Sequence, residues 1–350
     1  MKKVVIILFL FLGCARQIEN VPVEISNGDS TSITSSLDYI TIIENEIIKK
    51  PNSPNVYLKR ALYFQENRKL NKALEDINRA LTLAPDVSFL KYHKAAILYE
   101  LAVYNQDISS LDESKIYLDN TIIEDPEIIE PRLLRAKIFL FEKKTEESMK
   151  LINEVLKIDE RIAEAYLIKG MIYHFLGNQK LAMSSYQTAI EVDSDFFDAF
   201  IHIGMLLDQL GKTNAVEYYN SAIAINPNSL EAHRNKGLHL HFNEKYVEAR
   251  SCFKEVKNID PLFEEAFFNI GNTFLGEFDQ NQENMTLIDS ALKYFTISFE
   301  MNKYYVQAIH NIGLCYEIKG NTNLAKERYQ RAVDLDNNFR PSLDALNALD

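Results

Sequence analysis

Apolar residues recur along this chain at three- and four-residue steps, in runs broken by short polar turns. That spacing gathers apolar side chains on one helical face, so the pattern predicts a succession of amphipathic helices. A small residue returns on the same face at Ala61, Ala95, Ala136, Gly170, Gly204, Gly237, Gly271 and Gly313, at intervals of 34, 41, 34, 34, 33, 34 and 42. A fixed period of this size marks a tandem solenoid. The two long intervals are insertions of about two helical turns, roughly Glu100–Asp112 and Glu277–Asp289.

Companions keep fixed distances from this ladder. Twelve residues on stand Ala73, Ala182, Ala249 and Ala325, and four further on come Ile77, Tyr186, Phe253 and Tyr329. Three beyond those are Ala80, Ala189, Val256 and Ala332, and Pro51, Pro85, Pro126, Pro227 and Pro261 close several units. These offsets describe two antiparallel helices, the small residues allowing close approach of their axes and the large ones filling the gaps. Gly177, Gly211 and Gly320, each seven after a ladder glycine, sit where a helix end takes a left-handed residue. Proline belongs between units or in the first turn of the next helix. One helix pair cannot bury its apolar face alone; stacking against neighbours does so.

On these residues the chain resembles the tetratricopeptide repeat (TPR) family, whose 34-residue unit has small residues at its eighth, twentieth and twenty-seventh positions and Pro at its thirty-second. The resemblance implies an all-α, right-handed α-solenoid of about eight helix-turn-helix units: 54–87, 88–128, 129–162, 163–196, 197–229, 230–263, 264–305 and 306–339. Residues 37–50 and 340–350 are expected to form capping helices at the two ends. Ser114 and Thr121 in the second unit, and Ser148 and Val155 in the third, depart from the usual Ala.

The ends add a compartment to this picture. Residues 1–14 carry Lys2 and Lys3, an apolar run, and Gly13-Cys14. The run is too short for a bilayer span, which takes ~20 residues, and reads as a signal peptide. It resembles a bacterial lipobox, with Phe11 where Leu is usual, which implies lipidation of Cys14 and a membrane-anchored lipoprotein of the periplasm or outer membrane. Residues 15–36 are rich in Ser, Thr and Asn and read as a flexible tether, with a reach of roughly 25 Å. The net charge of −12 argues against nucleic acid as a partner. Cys252 and Cys315 fall in different units, and small thiols suit helical cores.

A search for chemistry returns nothing specific. His239 and His241 are two apart and diverge on a helix, no Cys pair has zinc-like spacing, and no phosphate-binding loop or nucleophile elbow occurs. The expectation is a protein with no enzymatic activity, no metal and no cofactor.

The family resemblance implies a groove lined by the first helix of each unit, chiefly from its second, fifth, ninth, twelfth and thirteenth positions. Carried onto this chain, these include Phe89, Tyr92 and Tyr99, then Lys137 and Phe141, then Met171, His174 and Phe175. Later units supply Arg234, His241 and Phe242, then Phe268 and Asn272, then Gln307, His310 and Glu317. The aromatic members either line the groove or pack between repeats. Asn235, Asn269 and Asn311, each two before a ladder glycine, resemble the asparagine ladder of O-linked GlcNAc transferase repeats, which grips peptide main chain. An amide both donates and accepts, as such a grip needs. The carboxylate clamp of chaperone-binding TPR domains is not matched, because Gln307 stands where Lys is required. The implied function is a tethered scaffold or adaptor that holds a protein or peptide ligand. A glycan-binding envelope component, or a regulatory subunit of an enzyme complex, is the alternative.

Overall fold

The computed structural model describes residues 36–280 and 283–349. The leader, Cys14 and the tether as far as residue 35 lie outside the described residues. Among those described there are eighteen α-helices and no strand. They divide near Ser194 into two compact units of nine helices each.

The first unit begins with α1 (Ser36–Lys49), whose Ile43 is buried. Four helix pairs follow: α2 (Pro54–Glu66) with α3 (Leu70–Leu83), α4 (Ser88–Asn105) with α5 (Ile108–Glu124), α6 (Glu130–Phe141) with α7 (Thr145–Ile158), and α8 (Ala163–Phe175) with α9 (Gln179–Val192). The second unit runs in the opposite sense of composition, four pairs and then a single helix. Its pairs are α10 (Phe197–Gln209) with α11 (Ala215–Ile225), α12 (Leu230–Phe242) with α13 (Tyr246–Ile259), α14 (Glu264–Gln280) with α15 (Met285–Met301), and α16 (Val306–Ile318) with α17 (Thr322–Leu335). The last helix is α18 (Arg340–Leu349). The helices flanking both insertions are lengthened: α4, α5, α14 and α15 have 17 or 18 residues, against 11 to 14 in the other paired helices.

The ladder is the contact line within each pair. Every ladder glycine meets an aromatic ring from its partner helix: Gly170 meets Tyr186, Gly204 Tyr219, Gly237 Phe253, Gly271 Phe295 and Gly313 Tyr329. A Cβ built on Gly204, Gly237 or Gly271 would lie 2.5, 2.7 or 2.6 Å from a ring carbon, inside any real contact. Where the ladder carries Ala, the residue in the ring's place is aliphatic: Ile77 for Ala61, Leu118 for Ala95 and Ile152 for Ala136, all fully buried. One methyl added on one helix is matched by a smaller side chain on the other, as close packing requires.

The serine departures have a local explanation. Ser114 Oγ donates to the carbonyl of Ala95 at 2.7 Å, and Ser148 Oγ to that of Ala136 at 2.8 Å. Each buried hydroxyl thus ties the second helix to the ladder residue of the first, which removes the cost of burying it. Gly177, Gly211 and Gly320 have φ of +75°, +64° and +75°, and the backbone closes there as a Schellman turn: Asn178 N–H reaches Tyr173 O at 2.8 Å and Gly177 N–H reaches His174 O at 2.9 Å. The same left-handed position is held by Arg68, Lys143 and Glu244 in other pairs.

No described helix is long and apolar enough to cross a membrane. Cys252 and Cys315 are buried free thiols, the latter pushed up to about 12 by burial.

Candidate partner-binding face

In the second unit the first helices α12, α14 and α16 and the last helix α18 are joined by a row of polar contacts. Arg234 on α12 donates to Glu265 on α14 through Nε at 2.7 Å and Nη2 at 2.6 Å. Asn269, buried on α14, reaches the same carboxylate through Nδ2 at 3.3 Å. One turn along α14, Asn272 accepts through Oδ1 from Asn311 Nδ2 on α16 at 2.9 Å. His310, beside it, pairs through Nδ1 with Ser342 Oγ on α18 at 3.0 Å. Burial lowers the pKa of His310, so the ring stays neutral and takes part as a hydrogen-bonding group rather than a cation.

Such a row offers more hydrogen-bonding capacity than it spends internally. Among the described residues no hydrogen bond uses the Asn272 amide nitrogen, the Asn311 amide oxygen or either side-chain polar atom of Asn235. A concerted flip of both amides reverses the bond and still leaves one donor and one acceptor unused. An adjacent unused donor and acceptor, held on two rigid helices, matches the alternation of C=O and N–H along an extended peptide.

The aromatic residues divide. Phe268 packs inward, its ring 5.6 Å from that of Phe295 and 4.9 Å from that of Tyr305. His241 lies between Phe242 and Tyr246, and burial lowers its pKa. Phe242 projects into solvent, 79% exposed.

In the first unit Lys137 on α6 forms an ion pair with Glu164 on α8, and Tyr92 on α4 lies within their field. Burial, with Glu164 adding to it, drives the Tyr92 phenol well above its ordinary value, so it remains a donor at every physiological pH. Tyr99, Phe141 and His174 are half-buried, and Phe175 at the end of α8 is about half exposed.

Two features are absent from the sequence reading. Glu265 is central to the second unit's polar row and occupies the second position of its repeat, one of the inward positions, so the positional rule alone points to it. The other is a buried network: His239 Nδ1 and Tyr219 Oη converge on Asp208 at 2.5 and 2.6 Å. His239 stands at a repeat position where Ile172 and Leu206 are buried hydrophobes, and its pairing with Asp208 is a lateral tie between successive first helices. His239 is thus a buried structural histidine.

Comparison with known proteins adds the following. The family profile described as "Tetratricopeptide repeat" matches residues 163–196, 197–229 and 306–339. No curated protein matches the chain. Among solved structures, the APC/C hetero-tetramer Cut9-Hcn1 is similar with a TM-score of 0.58 and 16% identity, over 91% of this chain and 60% of that one. PilW, described as a widely conserved type IV pilus biogenesis factor, is similar with a TM-score of 0.53 and 18% identity, over 62% of this chain and 98% of that one. PilF of Pseudomonas aeruginosa gives 0.52 and 14%, over 63% and 97%. At such identity these likenesses speak for the fold alone.

Proposed function

We propose that this chain, a tetratricopeptide-repeat protein, holds a peptide or protein segment along α12, α14 and α16, without catalysing a reaction on it. Proteins of this repeat class are scaffolds that mediate protein–protein interactions. The observation that carries the reading here is the Asn272–Asn311 pair, with its unused amide donor and acceptor, next to the Arg234–Glu265 pair. The amides bind main chain and leave sequence choice to other side chains of the face.

The second part of the proposal is the anchor. Acylation of Cys14 fixes the protein to a bacterial envelope membrane, and residues 15–36 hold the repeats clear of its surface. The support is the leader's order of Lys2-Lys3, apolar run and Gly13-Cys14. PilW, of the same fold, is described as a type IV pilus biogenesis factor. A glycan-binding role would use Phe242 and Phe268 as stacking platforms; Phe268 is engaged with Phe295 and Tyr305, which leaves a single ring.

Fractionation of cells expressing the chain and its Cys14→Ser variant tests the anchor: the protein moves from the membrane to the soluble fraction in the variant. Retention of the variant in the membrane overturns it. Affinity capture on the full chain tests the other part, with one envelope protein recovered near equal stoichiometry and lost in Asn272→Ala/Asn311→Ala.

A further inference from the structure

One side of α7 borders a cleft of about 560 Å³ whose lining includes Met149 and, just past the end of α8, Leu176. Leu176 is 57% exposed, an apolar residue that the first unit covers only in part. Along the cleft the charges of α7 alternate: Glu146, Lys150, Glu154, Lys157. Successive members are three or four residues apart and therefore share one helical face. Among the described residues no ion pair includes Glu146, Lys150 or Lys157, while Glu154 lies 3.6 Å from Arg132.

Reversing α7 end for end about the point between Leu151 and Ile152 places Glu146 on Lys157 and Lys150 on Asn153, one residue from Glu154. The face is complementary to itself in the antiparallel sense. A closed two-fold contact demands such self-complementarity, because the same patch must serve both partners. A partner of uniform charge would meet like charges at every second turn, which is unfavourable.

We infer that this cleft is an interface between two copies of the chain, α7 lying antiparallel to α7 of the second copy. Met149 and Leu176 of both copies supply its apolar area, and the Glu146–Lys157 pairs close the two ends. The residues that form it all belong to the first unit.

Sedimentation velocity of the full chain carrying Cys14→Ser, in non-ionic detergent over a range of concentrations, tests this. The expected result is a monomer–dimer equilibrium that weakens as salt is raised. Glu146→Lys or Lys157→Glu alone sets like charges together at both ends and raises the dissociation constant roughly tenfold or more. The combined Glu146→Lys/Lys157→Glu chain regains the dimer, which separates a lost contact from a lost fold. Met149→Arg leaves a monomer. A chain that is monomeric at every concentration, a dimer indifferent to these changes, or a double variant that stays monomeric overturns the inference.

Discussion

Gly170 lies flat against the ring of Tyr186, so close that a methyl group on it would overlap the ring's Cδ1 and Cε1. Tyr186 is fully buried and has no free side toward which to move. Replacing a helix-interior glycine by alanine ordinarily favours the helix by about 1 kcal/mol. Here overpacking costs about 1–3 kcal/mol and wins. Gly170→Ala is therefore expected to destabilise the first unit, and Gly170→Ala/Tyr186→Ile, which reproduces the pairing of Ala61 with Ile77, to recover much of the loss. Denaturant titration of the four chains gives the coupling directly; additive effects would show that the two positions do not share one volume.

The left-handed turn positions give a prediction of opposite signs. Gly177 has φ +75° with nothing near its would-be Cβ, so Gly177→Ala suffers from conformation alone, by about 1 kcal/mol. Glu244 holds the same kind of position at φ +59°, and Glu244→Gly is expected to stabilise by about 0.5–1 kcal/mol. Thermal unfolding scans check both: the first transition falls and the second rises.

His93 on α4 is 1% exposed, and neither ring nitrogen has a hydrogen-bond partner among the described residues. Burial lowers its pKa to about 4. The unfolded chain takes up a proton near the ordinary histidine value, while the folded chain resists until about pH 4. Stability from the neutral ring is complete above the ordinary value and is lost as pH falls from there to about 4, by up to ~1.4 kcal/mol per pH unit. His93→Leu removes that slope and the unpartnered nitrogens together, so the variant gains on the parent chain as the solution is acidified. Equilibrium unfolding of both chains between pH 4 and 7 measures it; parallel pH profiles would refute the assignment.

Much of the fold was legible because it rests on a single repeated volume constraint. Gly170 with Tyr186, or Ala61 with Ile77, is visible in the chain as a small residue and a large one sixteen apart. What the period does not show depends on side chains that leave it. Gly276 is off the ladder, yet Tyr246 from α13 packs on it and secures the extended end of α14 to the preceding pair. His239 occupies an apolar position, and only the three-dimensional approach of Asp208 and Tyr219 explains why a polar residue is stable there. The division near Ser194 is equally silent, since Gly170 and Gly204 on either side keep the 34-residue interval. For the candidate site, positional analogy reached Arg234, Asn269, Asn272 and Asn311. It did not reveal that Glu265 joins two of them, or that the other two bond each other.

The central claim, that the α14–α16 face holds a partner's main chain, is met most directly by photo-crosslinking in the native host. A crosslinking side chain is placed singly at Asn272, at Asn311, and at exposed Lys254 on α13 as a control. The account predicts that positions 272 and 311 capture the same protein, through one contiguous segment of it, and that position 254 does not. No adduct from 272 and 311, or the same adduct from all three positions, would contradict it.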